Sequence, residues 1–146
     1  DRLWDVLRSV DMFLLNDEEA IQLTNKTNIY DAANQLLQNG PSVVIIKQGG
    51  NGALLAYDDL RVQIPVFPID KLIDPTGAGD SFAGGFIGHL VNHGKEDLIE
   101  AVITGAAVAS FTVSGFGVDA LLEAEMCAIN ERKDVIRASM EKLKTA

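Results

Sequence analysis

Asp74-Pro75-Thr76-Gly77-Ala78-Gly79-Asp80-Ser81-Phe82 is the stretch of this 146-residue chain on which the rest turns. Two glycines flank one alanine, so the backbone can turn tightly and no large side chain shields its N–H groups. An apolar stripe at Phe82, Phe86 and Leu90 recurs every fourth residue and predicts a helix from about Ala78 to Asn92. The free N–H groups of its first turn and the helix dipole converge on one spot that favours an anion. Asp80 sets a carboxylate beside that spot. The pairing suits phosphoryl transfer, because amides stabilise charge on the moving group while a carboxylate takes the proton of the attacking hydroxyl. Other phosphate patterns do not fit. There is no Gly-x-x-x-x-Gly-Lys-Ser/Thr segment, and Phe82 stands where a dinucleotide fingerprint needs its third glycine.

Within the same helix lie Gly84, Gly85 and Gly88, each costing roughly 1 kcal/mol relative to alanine. A neighbouring helix or strand packed very close would offset that cost. A second helix is predicted over roughly Lys95 to Val113. Upstream, Leu3, Trp4, Leu7 and Val10 have helical spacing, and Met12 to Leu15 reads as a buried strand ending at Asn16. The acidic cluster Asp17-Glu18-Glu19 opens another helix, and Tyr30 to Gln38 forms one stopped by Asn39-Gly40-Pro41. Val43 to Ile46 is β-branched throughout and reads as a second buried strand. Ala53–Tyr57 and Arg61–Ile64, joined by Asp58-Asp59-Leu60, predict a hairpin. The tail from Leu122 to Leu143 places Leu122, Met126, Ile129, Ile136, Met140 and Leu143 on one face of an amphipathic helix, interrupted at Lys133. Strands alternating with helices give an α/β layer architecture with a largely parallel sheet and no internal repeat or linker.

Composition narrows the partners. Asp and Glu outnumber Lys and Arg by 21 to 12, a formal charge of −9, which argues against nucleic acid and anionic membrane surfaces. With 47% hydrophobic and 23% charged residues the chain reads as globular. The most apolar stretch, Leu98 to Val113, is too short for a membrane span and contains Glu100. Asp1-Arg2-Leu3-Trp4 does not resemble a secretory signal, and the single cysteine, Cys127, allows no intrachain disulfide, so the cytoplasm is the expected location. The Asn25-Lys26-Thr27 sequon is then a chance match. His89 and His93 are spaced for metal binding on one helix, but with no third ligand in sequence they read as packed or exposed side chains. Cys127, without a histidine partner, reads as a packing residue. Lys142 and Lys144 complement the dipole of the last helix.

The full 74–80 segment resembles the second signature of the ribokinase-like (PfkB) family of carbohydrate and nucleoside kinases. That signature, Asp-Thr-x-Gly-Ala-Gly-Asp, is matched at Asp74, Gly77, Ala78, Gly79 and Asp80, with Pro75 in place of the usual threonine. Two more motifs follow the family's order. Asn16-Asp17-Glu18-Glu19 is similar to its Asn-x-x-Glu element, which implies that Asn16 and Glu19 position Mg²⁺ and the phosphates, the hard oxygen ligands such a cation prefers. Lys47-Gln48-Gly49-Gly50-Asn51-Gly52 resembles the Gly-x-x-Gly loop that borders the nucleotide, implicating Lys47, Gly49 and Gly52. Taken singly, Asn16 and Glu19 read as a helix cap and a solvated charge, and the two glycines as a plain turn.

The resemblance implies a ribokinase-like three-layer α/β/α fold with a mainly parallel sheet, residues 1–146 forming one partial domain, its C-terminal nucleotide-binding and catalytic half. The N-terminal Gly-Gly signature and β-lid of the family have no counterpart in the sequence. Implied roles are Asp80 as catalytic base, the amides of Gly77, Ala78 and Gly79 as anion hole, and Thr76 as a further nucleotide contact. Gly105, Ala106 and Gly117 would wall the adenine, although the small residues at 105 and 106 suit plain helix packing equally. ATP and Mg²⁺ are implied, as is the monovalent cation that some members hold near this loop, the latter less firmly because of Pro75. The expected acceptor is a sugar or nucleoside. The expected protein partner is a second copy paired through the tail helix, or a complementary N-terminal half. The alternative from a different class is a non-catalytic nucleotide-binding or assembly module.

Overall fold

The computed structural model describes residues 2–116 and 119–145, and they divide into two compact units, residues 1–63 and 64–146. In the first unit α1 (Arg2–Leu7) leads into β1 (Met12–Asn16), followed by α2 (Asp17–Thr24) and α3 (Ile29–Gln38). Next come β2 (Val43–Lys47), a 3₁₀ turn at Gly49–Asn51, β3 (Ala53–Tyr57) and β4 (Leu60–Ile64). The strands form one sheet in the order β1-β2-β3-β4. β1 and β2 are parallel, with Met12 opposite Val43 and Asn16 opposite Lys47. That pairing requires a crossover, which α2 and α3 supply. β2 and β3 are antiparallel, Val43 facing Tyr57 and Lys47 facing Ala53. The α/β class therefore stands, but only one pairing named here is parallel, because the short connections after β2 and β3 leave no room for a crossover.

Apolar alternation builds the core of this unit. Val44 and Ile46 of β2, Leu54 and Ala56 of β3, and Leu15 of β1 join Ala20, Ala32, Ala33 and Leu36 from the helices, with Leu7 beneath. The neighbouring Ile45 and Leu55 are buried as well, so β2 and β3 are covered on both faces, as their unbroken apolar runs imply. β1 departs from its expectation. Only Leu15 is fully buried and the other four residues are half-buried, because β1 has a strand on one side only in the four-stranded sheet. The β3–β4 turn comprises Asp58 and Asp59, with Asp58 in the left-handed region at φ 45°.

The second unit is helical: α4 (Ala78–His93), α5 (Leu98–Thr112), the short α6 (Asp119–Leu122) and α7 (Met126–Thr145). α4 and α5 meet at glycines. A Cβ on Gly85 would stand 3.1 Å from the Gly105 Cα, and one on Gly105 would stand 2.7 Å from the Phe82 carbonyl oxygen. The close neighbour inferred from the glycines of α4 is thus α5, but only Gly85 meets it. Gly84 and Gly88 have nothing within 4 Å of a Cβ among the described residues.

The tail differs from its predicted stripe. Leu122 and Met126 are exposed, the buried face carries Lys133, Ile136 and Met140, and α6 ends before α7 begins. Lys133 continues the stripe rather than breaking it, because its ammonium lies 3.6 Å from Glu100 Oε2 on α5. Arg137 grips the same carboxylate with two hydrogen bonds, Nε to Oε1 at 2.7 Å and Nη2 to Oε2 at 2.6 Å. Arg132 donates to Ser110 Oγ and lies 3.5 Å from the ring centre of Phe111 and 4.6 Å from that of Phe67. Cys127 is exposed in the first turn of α7, not a packing residue, because that turn projects from the buried stripe. His89 is buried, its Nε2 2.9 Å from Asp97 Oδ2 and its Nδ1 3.1 Å from Thr104 Oγ1, while His93 is exposed and stacks on it. Among the described residues no cluster of three His, Cys, Asp or Glu could hold a metal, and no helix is long and apolar enough to cross a membrane. Gly117 and the side chains of Leu143 and Lys144 lie outside the described residues.

Candidate active site

The Gly-rich turn is held open by its own backbone. Asp74 Oδ1 accepts from the Thr76 amide at 2.9 Å, and hydrogen bonds from Thr76 keep its carboxyl below the usual carboxylate range. The Ala78 amide donates back to Pro75 O at 3.1 Å, closing a turn. Gly77 then takes φ +80°, a left-handed conformation that glycine adopts without a Cβ penalty, and serves as the N-cap of α4. Ser81 N–H donates to Gly77 O at 2.9 Å, the first closed bond of the helix.

That accounting leaves the amides of Gly77, Gly79 and Asp80 without an acceptor among the described residues. The trio differs by one member from the sequence expectation, since Ala78 is committed to Pro75 and Asp80 contributes its own N–H. The Asp80 side chain is exposed in this first turn. Unpaired amides of a helix N-terminus and a carboxylate therefore share one turn, an arrangement that suits an anion.

In the first unit the expected metal residues are brought together as a capping box. Asn16 Oδ1 accepts from Glu19 N at 2.7 Å, and Asn16 N donates to Glu19 Oε2 at 2.8 Å. The expected oxygen ligands are thus also the cap residues, and each keeps lone pairs that the box does not use. One amide oxygen and one carboxylate suit Mg²⁺, which takes few protein oxygens and keeps several waters. The parallel register sets Lys47 beside Asn16 at the carboxyl ends of β1 and β2, the edge where open α/β sheets bind ligands. Gly49 opens the tight 3₁₀ turn that follows and Gly52 caps it, with φ 53° and 91°, and Gln48 N–H donates to Gly52 O at 2.8 Å. A cavity of about 400 Å³ in this unit is lined mainly by apolar side chains, among them Leu3, Phe13, Leu15 and Leu23, with Glu19 and Gln22 its polar members and no cation for a phosphate.

On α5, Gly105 is buried with its missing side chain facing Phe82, so the contact with α4 accounts for it. Ala106, one residue on, is half-buried. The structure also contains a contact that the sequence did not disclose: Thr112 Oγ1 donates to Ser81 Oγ at 2.7 Å across 31 residues. The available signals were a hydroxyl next to Asp80 and another in the last turn of α5.

Comparison with known proteins places the chain. The profile of pfkB family carbohydrate kinases matches residues 1–125. A cytidine kinase of Thermococcus kodakarensis is 37% identical over 89 residues, covering 60% of this chain and 32% of its own length. A ribokinase of Staphylococcus aureus is 31% identical over 121 residues, covering 80% and 39%. Among solved structures, aminoimidazole riboside kinase from Salmonella enterica, complexed with aminoimidazole riboside and an ATP analogue, superposes with a TM-score of 0.77 at 26% identity. That match covers 89% of this chain and 44% of the other. The chain spans about a third of the curated relatives it matches, and within that span the fold is ribokinase-like. With most of its length matched, the chain belongs to the pfkB family of carbohydrate kinases.

Proposed function

We propose that the protein containing this chain transfers the γ-phosphoryl group of ATP to a hydroxyl of a sugar or nucleoside. The observation that carries the reading is the first turn of α4, where unpaired amides and the Asp80 carboxylate share one site. Asp80 accepts the proton of the acceptor hydroxyl as its oxygen bonds to the γ-phosphorus. The bond from phosphorus to the bridging oxygen breaks, and ADP carries away the electron pair. The amides of Gly77, Gly79 and Asp80 hold charge on the equatorial oxygens, with Ala78 joining if its turn to Pro75 opens. Asn16 and Glu19 would hold Mg²⁺, which supplies charge neutralisation on the phosphates. Lys47, Gly49, Gly52 and Thr76 would serve as further nucleotide contacts, and Ala106 with Gly117 as adenine contacts. A monovalent cation near the 74–77 turn is the further ion of this reading. The relatives' names support both acceptor classes, since one is a cytidine kinase and another a ribokinase.

A second reading is favoured by one observation, the chain's coverage of only about a third of those relatives. On that reading it binds nucleotide without turning it over. Asp80→Asn separates the two, because amide and carboxylate are nearly isosteric. In the protein that contains this chain, the substitution should lower turnover at least about 100-fold and leave MgATP affinity within about threefold. Turnover near that of the parent would refute Asp80 as base. MgATP binding with no ADP release from any sugar or nucleoside would favour the second reading.

A further inference from the structure

The end of α5 grips both limbs of the Gly-rich turn. On the entering limb, Ile73 N–H donates to the Val113 carbonyl at 2.9 Å. On the leaving limb, Thr112 Oγ1–H donates to Ser81 Oγ at 2.7 Å. Thr112 and Val113 are adjacent, so one peptide of α5's last turn is tied to the chain on either side of residues 74–80. Between the two ties, the Thr112 methyl lies 3.8 Å from where a Cβ on Gly77, the residue with φ +80°, would be. Thr112 itself is 3% exposed, so its hydroxyl has little recourse to water and its partner is fixed.

We propose that Thr112 is a positioning residue for the anion turn, its hydroxyl setting Ser81 and hence the orientation of the Gly77–Asp80 amides and carboxylate. The chemistry follows from the hydrogen-bond ledger. Gly77, Gly79 and Asp80 have amides with no partner among the described residues, so their direction is set only indirectly, by the bonds around them. Those bonds are the turn's own, Asp74–Thr76, Ala78–Pro75 and Ser81–Gly77, and the two ties from outside it, at Val113 and Thr112. A loop whose free donors must all point at one phosphoryl group gains from being preorganised rather than ordered by the ligand. The role in catalysis rests on the kinase reading above; the clamp itself does not.

The test uses the chain as it stands. Amide hydrogen exchange is followed by NMR at Ala78 and Ser81, two bonded amides of the turn, with interior amides of α5 as reference. Thr112→Val keeps the shape and removes the hydroxyl; Thr112→Ser keeps the hydroxyl. Exchange at Ala78 and Ser81 should quicken about five- to tenfold in the valine variant and return to the parent rate in the serine variant, the reference amides being unchanged. Calorimetric titration with MgATP should show a roughly fivefold weaker Kd for valine and a change under about twofold for serine.

Unchanged exchange in the valine variant would overturn the clamp. Quickening spread equally over α5 would overturn it too, since that is loss of stability rather than of positioning. Faster exchange with an unaltered Kd would overturn the positioning role. Should Thr112→Val fail to fold, Ser81→Ala removes the acceptor from a half-exposed site and must give the same local quickening at Ala78. A parent chain that does not bind MgATP would sink the nucleotide reading for this chain, while the exchange arm still decides the clamp.

Discussion

Gly84 and Gly105 lie on adjacent, packed helices and make opposite demands. At Gly84 nothing among the described residues stands within 4 Å of an added Cβ, and the site is exposed. Gly84→Ala should therefore raise the stability of the chain by about 0.5–1 kcal/mol, the helix-propensity difference between the two residues. At Gly105 the same methyl would meet the Phe82 carbonyl oxygen at 2.7 Å and its ring at 3.3 Å, in a contact between two helices. Gly105→Ala should cost about 1–3 kcal/mol, as overpacking does. Urea unfolding of the two variants checks both signs, and a stabilised Gly105→Ala would show that the helices separate easily. The sequence marked Gly84, Gly85 and Gly88 alike as costly residues in need of compensation. Only Gly85 receives it from α5, and which glycine faces the neighbour depends on helix phase and crossing, which composition does not carry. Asp80 is the contrary case. Its place in the first turn of α4 followed from local spacing, because a helix start and the residue three beyond its cap are fixed within a single turn.

Between elements, α5 and α7 are joined by a charged contact inside an apolar seam. Glu100 accepts both hydrogen bonds from Arg137, and Lys133 is buried beside it. The Arg137 hydrogen bonds, aided by the charges of Arg137 and Lys133, hold the Glu100 carboxyl below its ordinary value of 4.5 in spite of its burial. A carboxyl whose pKa is lowered by folding stabilises the folded state above the ordinary value. It loses that contribution as the pH falls through the lowered one. Stability should therefore decline on acidification below about pH 4.5 more steeply in the parent than in Glu100→Gln. The variant itself should be weaker near neutral pH, with two cations left facing a neutral amide. Thermal unfolding between pH 3 and 7 checks this, and parallel pH profiles for the two proteins would refute it. The amphipathic tail was legible from its three-and-four spacing. Lys133 was not, because a lysine at a core position reads as a break until its anion appears on another helix. β1 was misjudged as buried for a similar reason: apolar content identifies a strand, while its rank in the sheet decides its burial.

For the molecule as a whole, the net charge of −9 sets a condition on any nucleotide. ATP without a divalent cation adds about four negative charges to an already anionic surface, and the unpaired amides of one helix turn offset only a fraction of that. Chelating Mg²⁺ with EDTA should weaken ATP binding at least about tenfold, and restoring Mg²⁺ should reverse the loss; equal affinity in both conditions would remove Asn16 and Glu19 from the phosphate site. What the sequence determined by itself was local: the Gly-rich turn with its helix, the cap at Asn16, the β-branched strand before Lys47, and the order in which these motifs follow one another. That order sufficed to identify the family, since each motif is built from residues within a few positions of each other and needs no partner from elsewhere. Tertiary structure alone decided three other things: that Gly105 belongs to a helix contact, that Lys133 is buried on Glu100, and that Thr112 reaches Ser81. All three join residues more than 20 positions apart. Their energies depend on how helices are phased and crossed, and a linear pattern of residue types does not contain that geometry.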